Sequence, residues 1–125
     1  MASNVWVYID HFHGRALPAA WETMGAAREV AADLNTGVAA IVFGCGVDQV
    51  AQKAADHGAE RIFLCDDATL TDFRVQAYGA AAVKLIESEN PEVVLAPATT
   101  RGRDLTAVLG VELGVGVVAD GIALK

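Results

Sequence analysis

The sequence predicts an α/β fold, a doubly wound parallel sheet of five strands in the order 3-2-1-4-5 with helices on both faces. Three observations carry this reading. Short β-branched runs alternate with longer helical patterns along the whole chain, as a parallel sheet with helical crossovers requires. The strand-like runs are continuously apolar, as strands covered on both faces must be. Right-handed crossovers leave few topologies for such a chain. Its 125 residues suit one domain.

Each element has its own signal. Residues 5–9, VWVYI, read as the first strand. Residues 17–35 read as a helix: Pro18 suits a first turn, and Trp21, Met24, Ala27, Val30, Ala31 and Leu34 recur at helical spacing. Asn35-Thr36-Gly37 ends it, with Gly37 expected as the left-handed cap. A second strand follows over 38–44. A short helix over 47–58 has Asp48 near its start and Gly58 after its end. Residues 61–65, RIFLC, give the third strand, and 71–90 a long helix with Thr71 expected as its N-cap. The fourth strand is 93–98, the fourth helix 102–114, and 116–124 is expected as a fifth extended segment. No repeat or interdomain linker interrupts this order. The end directly after a strand suggests that 1–125 is one domain of a longer chain.

Composition narrows the function. The chain is 54% hydrophobic with 12 glycines and 3 prolines, which describes a globular protein. Its net charge of −7 argues against nucleic acid and against an anionic membrane as partners. An acidic surface suits a basic protein partner. No apolar run approaches the roughly 20 residues that span a bilayer. The opening MASNVWVYID lacks the features of a signal or transit peptide, so the expected location is cytoplasmic. Two cysteines make no disulfide framework.

Ligands of doubly wound sheets sit beyond the carboxyl ends of the strands, near the switch point. That places residues 10–16 and 97–104 face to face. In the second loop, Thr99 and Thr100 offer hydroxyls, Arg101 and Arg103 charge, and Gly102 close backbone approach, so these five are anion-site candidates. The alternative is that Thr99 or Thr100 caps the helix and the arginines pair with acidic neighbours. Gly44-Cys45-Gly46 begins like a dinucleotide fingerprint, but Gln49 stands where its last glycine belongs, so a tight turn is expected. His11 and His13 lack the further ligands of a metal set, and none is expected. Cys45 and Cys65 end adjacent strands and read as buried free thiols. Ser3 and Ser88 occupy no nucleophile elbow, while Asp66 and Asp67 read as turn and capping residues. No constellation resembles an active site, so a non-enzymatic role is expected.

With the elements placed, the chain resembles the N-terminal domain of the electron transfer flavoprotein α-subunit. The carrying residues are VWVYIDH followed by GRALPAAWETMGAAREVA, then VFGCGVDQVAQKAADHGAERIFLCDD, then ENPEVVLAPATTRGRDLTAVLGVELGVGVVADGIAL. Their order and spacing cover nearly all of the chain. The resemblance implies a Rossmann-like three-layer sandwich related to adenine-nucleotide alpha-hydrolase-like domains. It implies a part of an αβ heterodimer that carries electrons from dehydrogenases, such as the acyl-CoA dehydrogenases of fatty acid oxidation, to a quinone oxidoreductase. It places the FAD chiefly in a C-terminal domain of the α-subunit, outside these residues, and gives this domain a structural, β-subunit-binding role with no tightly bound cofactor. The other readings are a free-standing nucleotide-binding module of the same superfold and an enzyme of unrecognised substrate. The apolar positions Val117, Val118, Ile122 and Leu124, on the last extended segment, are the expected interface with the β-subunit, the flavin domain, or a second copy.

Overall fold

The computed structural model describes residues 4–12, 14–89, 91–97, 99–113, 116–118 and 122–124, with residue 106 and those from 109 onward described by backbone alone. Four parallel strands form the body of the sheet: β1 (Val5–Tyr8), β4 (Val38–Gly44), β5 (Arg61–Asp66) and β6 (Val93–Leu95). Between β1 and β4 lie a small hairpin, β2 (His11–Phe12) with β3 (Arg15–Ala16), and helix α1 (Pro18–Asp33). Helix α2 (Asp48–Asp56) joins β4 to β5, α3 (Val75–Glu89) joins β5 to β6, and α4 (Thr100–Leu113) follows β6. The chain closes on β7 (Gly116–Val118) and β8 (Ile122–Leu124).

The order across the sheet is β5-β4-β1-β6-β8-β7. The first four places reproduce the expected 3-2-1-4 arrangement, with β1 paired in parallel to both β4 and β6. The fifth place differs. The segment expected as one parallel strand is two short strands, with β8 antiparallel to β6 and β7 antiparallel to β8. The parallel count is therefore four. The physical reason is in the sequence: Ala119-Asp120-Gly121 separates the two strands, and an Asp-Gly pair favours a hairpin reversal over straight continuation.

Alternation along each strand divides the core. Val5, Val7 and Ile9 face Met24, Ala27 and Ala31 of α1 and Val50 and Ala54 of α2. Trp6 and Tyr8 face the other way, onto Tyr78, Ala82 and Ile86 of α3 and Leu105 of α4. Every residue of β1 and β4 is buried, as a sheet covered on both faces demands. Burial of this apolar surface is the main stabilising term of the fold.

Two expected caps fall elsewhere. Asn35, at φ 56°, takes the left-handed position after α1 instead of Gly37. Asparagine tolerates that conformation, and the Thr36 amide then reaches back to the Ala31 carbonyl at 2.9 Å. Thr71 does not cap α3. It ends a 3-10 turn over Ala68–Leu70, donating its hydroxyl to the Ala68 carbonyl, and α3 begins at Val75. Asp67 caps that turn instead, its Oδ1 accepting from the Thr69 amide and hydroxyl, both at 2.9 Å. These two bonds hold its carboxyl below its ordinary value.

Candidate functional site

Beyond the carboxyl ends of β1 and β4 the structure opens a crevice of about 590 Å³. Its lining comes from six separate stretches: Tyr8; His11, Phe12 and Gly14; Cys45 and Gly46; Thr71, Asp72 and Phe73; Tyr78; and Arg101. The crevice lies beside the switch point, with Tyr78 of α3 on one side and residues of the β2–β3 hairpin on another. The Leu17 amide closes that hairpin on the Asp10 carbonyl at 2.9 Å.

The two loops expected to face each other do meet. Arg101 Nε donates to Asp10 Oδ1 at 2.7 Å, across 91 positions of sequence. Asp10 is fully buried, and among the described residues its Oδ2 has no hydrogen-bond partner. The Arg101 side chain keeps 29% of its exposure and lies over the ring of Phe12, with the guanidinium carbon 5.6 Å from the ring centre. Thr99 is the N-cap of α4: its Oγ1 accepts from the Gly102 amide at 3.0 Å. Thr100 is the exposed first residue of that helix and Arg103 is exposed further along it, while Gly102 is buried. A Cβ at Gly102 would stand 2.1 Å from the Pro97 carbonyl oxygen, so only glycine allows this approach of helix to loop.

The Gly44-Cys45-Gly46 turn is also occupied. Asp66, at the end of β5, accepts from the amides of Gly46 at 3.0 Å and Val47 at 3.4 Å. Val47 precedes α2 and supplies no side-chain cap, so the Asp66 carboxylate serves the start of that helix from the neighbouring strand. Replacing Asp66 with alanine is expected to cost about 0.5–2 kcal/mol, the loss of a helix cap. Asp66→Asn keeps one acceptor and is expected to cost less. Urea midpoints of the three proteins at pH 7 check the order.

His11 is drawn into the floor, its Nε2 donating to the Phe43 carbonyl at 2.5 Å. His13 lies outside the described residues. Among those described, no group of three or more His, Cys, Asp or Glu side chains gathers to hold a metal ion. Cys45 and Cys65 are free thiols but not the buried ones expected: Cys45 is exposed in the turn after β4, and Cys65 is half-buried on the edge strand β5. The Ser88 hydroxyl donates to Glu89 at the end of α3, far in sequence from the crevice. Ser3 lies outside the described residues. Val117, Val118, Ile122 and Leu124 lie on the outermost hairpin of the sheet, and their side chains are outside what is described.

Two buried tyrosines back the site. Tyr8 holds its proton well above its ordinary value, first because of burial and then because of Asp10 and Tyr78, with Arg101 opposing. Tyr78 is raised as well, by burial and then by Asp10, and its hydroxyl donates to the Leu70 carbonyl at 2.8 Å. A raised tyrosine stabilises the fold fully below the unfolded value near pH 10. As pH rises beyond it, the unfolded chain ionises while Tyr8 of the folded chain does not, and stability falls by about 1.4 kcal/mol per pH unit for Tyr8, with Tyr78 adding in the same direction. Urea midpoints between pH 9 and 11 are expected to drop steeply, and Tyr8→Phe to flatten the slope.

Residues 5–125 match the electron transfer flavoprotein domain. The chain belongs to the electron transfer flavoprotein family. Over 121 residues it is 39% identical to protein FixB of Azorhizobium caulinodans, covering 94% of this chain and 32% of that protein. It is 32% identical over 117 residues to the electron transfer flavoprotein subunit alpha of Megasphaera elsdenii, with 94% and 35% covered. It is 30% identical over 117 residues to the lactate dehydrogenase (NAD(+),ferredoxin) subunit LctC of Acetobacterium woodii, with 94% and 28% covered. The chain thus spans about a third of the length of the curated relatives it matches.

The family is one of flavoproteins, so the crevice bears a test against a flavin dinucleotide. Its diphosphate finds a poor fit among the described residues. The glycine turn is filled by Asp66, the first amides of α4 are served in part by Thr99, and Arg101 is committed to Asp10. Asp72 adds a further carboxylate to the lining.

Proposed function

We propose that this chain is a structural and partner-binding unit of an electron transfer flavoprotein α-type subunit, acting in the cytoplasm. Its partners in this reading are a β-type subunit and an FAD-bearing domain outside these residues, with dehydrogenases and a quinone oxidoreductase at either end of the electron path. The chain itself binds no FAD tightly. FAD, where the complete complex holds it, supplies the one- and two-electron chemistry. This chain's residues supply a rigid sheet and a docking surface, of which Val117, Val118, Ile122 and Leu124 are part.

One observation supports this reading above the others: at the two places where a nucleotide's phosphates would rest, the chain's own groups compete for the donors, Asp66 at the glycine turn and, in part, Thr99 and the Asp10–Arg101 pair at α4. The free-standing nucleotide module needs at least one of those seats open. The test is co-purification of tagged chain with a β-type subunit, beside gel filtration of the chain alone. A complex, and a colourless chain alone, are the expected results. A flavin absorbance band surviving on the isolated chain, or no complex, overturns the reading. Substituting Ile122→Asp with Leu124→Asp is expected to abolish the complex if the last hairpin contributes to the interface.

A further inference from the structure

The crevice carries a chemistry of its own beside the contacts already described. Four of its lining side chains are aromatic: Tyr8, Phe12, Phe73 and Tyr78. Phe73 and Tyr78 meet edge-on with ring centres 4.8 Å apart, so they present one continuous wall. Phe12 stands at the tip of the hairpin 57% exposed, the most exposed of the large apolar side chains described. A volume of about 590 Å³ is that of a site which takes a whole side chain or small molecule.

Its charges point one way. Among the described lining residues Arg101 brings the guanidinium, and it is matched at 2.7 Å by Asp10. Asp72 then remains in the lining, and Asp66 is bound to the amide of the lining residue Gly46. The described carboxylates in and against the crevice therefore exceed its guanidinium. The crevice already carries one guanidinium over an aromatic face, that of Arg101 over Phe12. Aromatic faces attract cations through their quadrupole, and carboxylates beside them add to the attraction. Asp10 Oδ2, buried without a donor among the described residues, is an acceptor that lacks a partner.

We infer that this crevice receives an arginine or lysine side chain presented by the partner polypeptide, held between the aromatic wall and Asp72. The inference rests on the reading that the chain docks on another subunit. Charge supports that occupant over an anionic one, for the chain as a whole carries −7 and the crevice is locally acidic. Arginine is also among the residue types that dominate binding energy when seated in an aromatic pocket.

The first arm of the test titrates the nitrogen-15-labelled chain with n-propylguanidinium chloride and, in parallel, with sodium propionate. Guanidinium is expected to shift the amides of Phe12, Gly14, Gly46 and Phe73 saturably, and propionate not to. Asp72→Asn is expected to weaken guanidinium binding at least threefold, and Asp33→Asn, an exposed carboxylate on α1, to leave it unchanged. An equal response to propionate, or undiminished binding by Asp72→Asn, overturns the inference. The second arm measures capture of the β-type subunit by wild type and by Asp72→Lys, with at least tenfold weaker capture expected for the variant. If both capture it equally, the crevice is not the docking pocket and the partner reading stands. If wild type captures nothing, the partner reading falls and this inference with it.

Discussion

Arg101→Met is expected to destabilise the fold by about 3–5 kcal/mol, the cost of leaving a buried charge without its partner. Asp10 is fully buried, its Oδ1 is held by Arg101 Nε, and its Oδ2 has no partner among the described residues. Removing the guanidinium leaves that carboxylate buried without the partner that holds it, which costs the fold. The loss should persist at 0.5 M salt, because a buried pair is poorly screened. Adding Asp10→Asn to Arg101→Met removes the uncompensated charge and is expected to restore most of the stability. Urea denaturation of the two single variants and the double variant at pH 7 forms the cycle. A loss under 1 kcal/mol for Arg101→Met would mean that the pair behaves as a surface ion pair.

The sheet was legible because its signals are local and repeated. Val5, Val7 and Ile9 against Trp6 and Tyr8 is an apolar run on both parities, and it means burial on both faces wherever it occurs. The β2–β3 hairpin was not legible. Two-residue strands carry no periodicity, and the residues around Gly14, at φ +75°, read only as loop. The last hairpin was missed because the apolar runs on either side of Asp120-Gly121 outweighed the Asp-Gly signal between them. For the site, residue types were readable and partners were not. Arg101 stood out in its loop, but the carboxylate it meets lies 91 positions earlier. Asp66 read as a capping residue, yet the helix it caps precedes its own strand. The crevice draws its lining from six stretches that only the parallel order of β4, β1 and β6 brings together, so no window of sequence contains it.

Phe43→Ala is expected to cost about 3–5 kcal/mol, as truncating a buried aromatic side chain does. Phe43 is buried near the end of β4, where its ring lies 6.5 Å from that of Tyr8 and edge-on to Tyr78 at 5.8 Å. Those tyrosines line the crevice, so the ring of Phe43 is the layer on which its floor rests. Truncation opens a void in a strand laddered to β1 as far as Ile41 and to β5 through Phe43 and Gly44, which leaves it little freedom to collapse. Phe43→Leu refills part of that space and is expected to cost about 1–2 kcal/mol. The His11 and Tyr78 hydrogen bonds to residue 43 end on its backbone carbonyl, so both variants keep the acceptor. The loss is therefore attributable to packing. It should appear together with a weaker near-ultraviolet dichroism signal from the tyrosines, whose rings lose a fixed neighbour. Calorimetric or urea unfolding of the two variants measures the difference. Equal costs for alanine and leucine would show that the cavity does not set the penalty and that the Phe43 ring is not what supports the crevice floor.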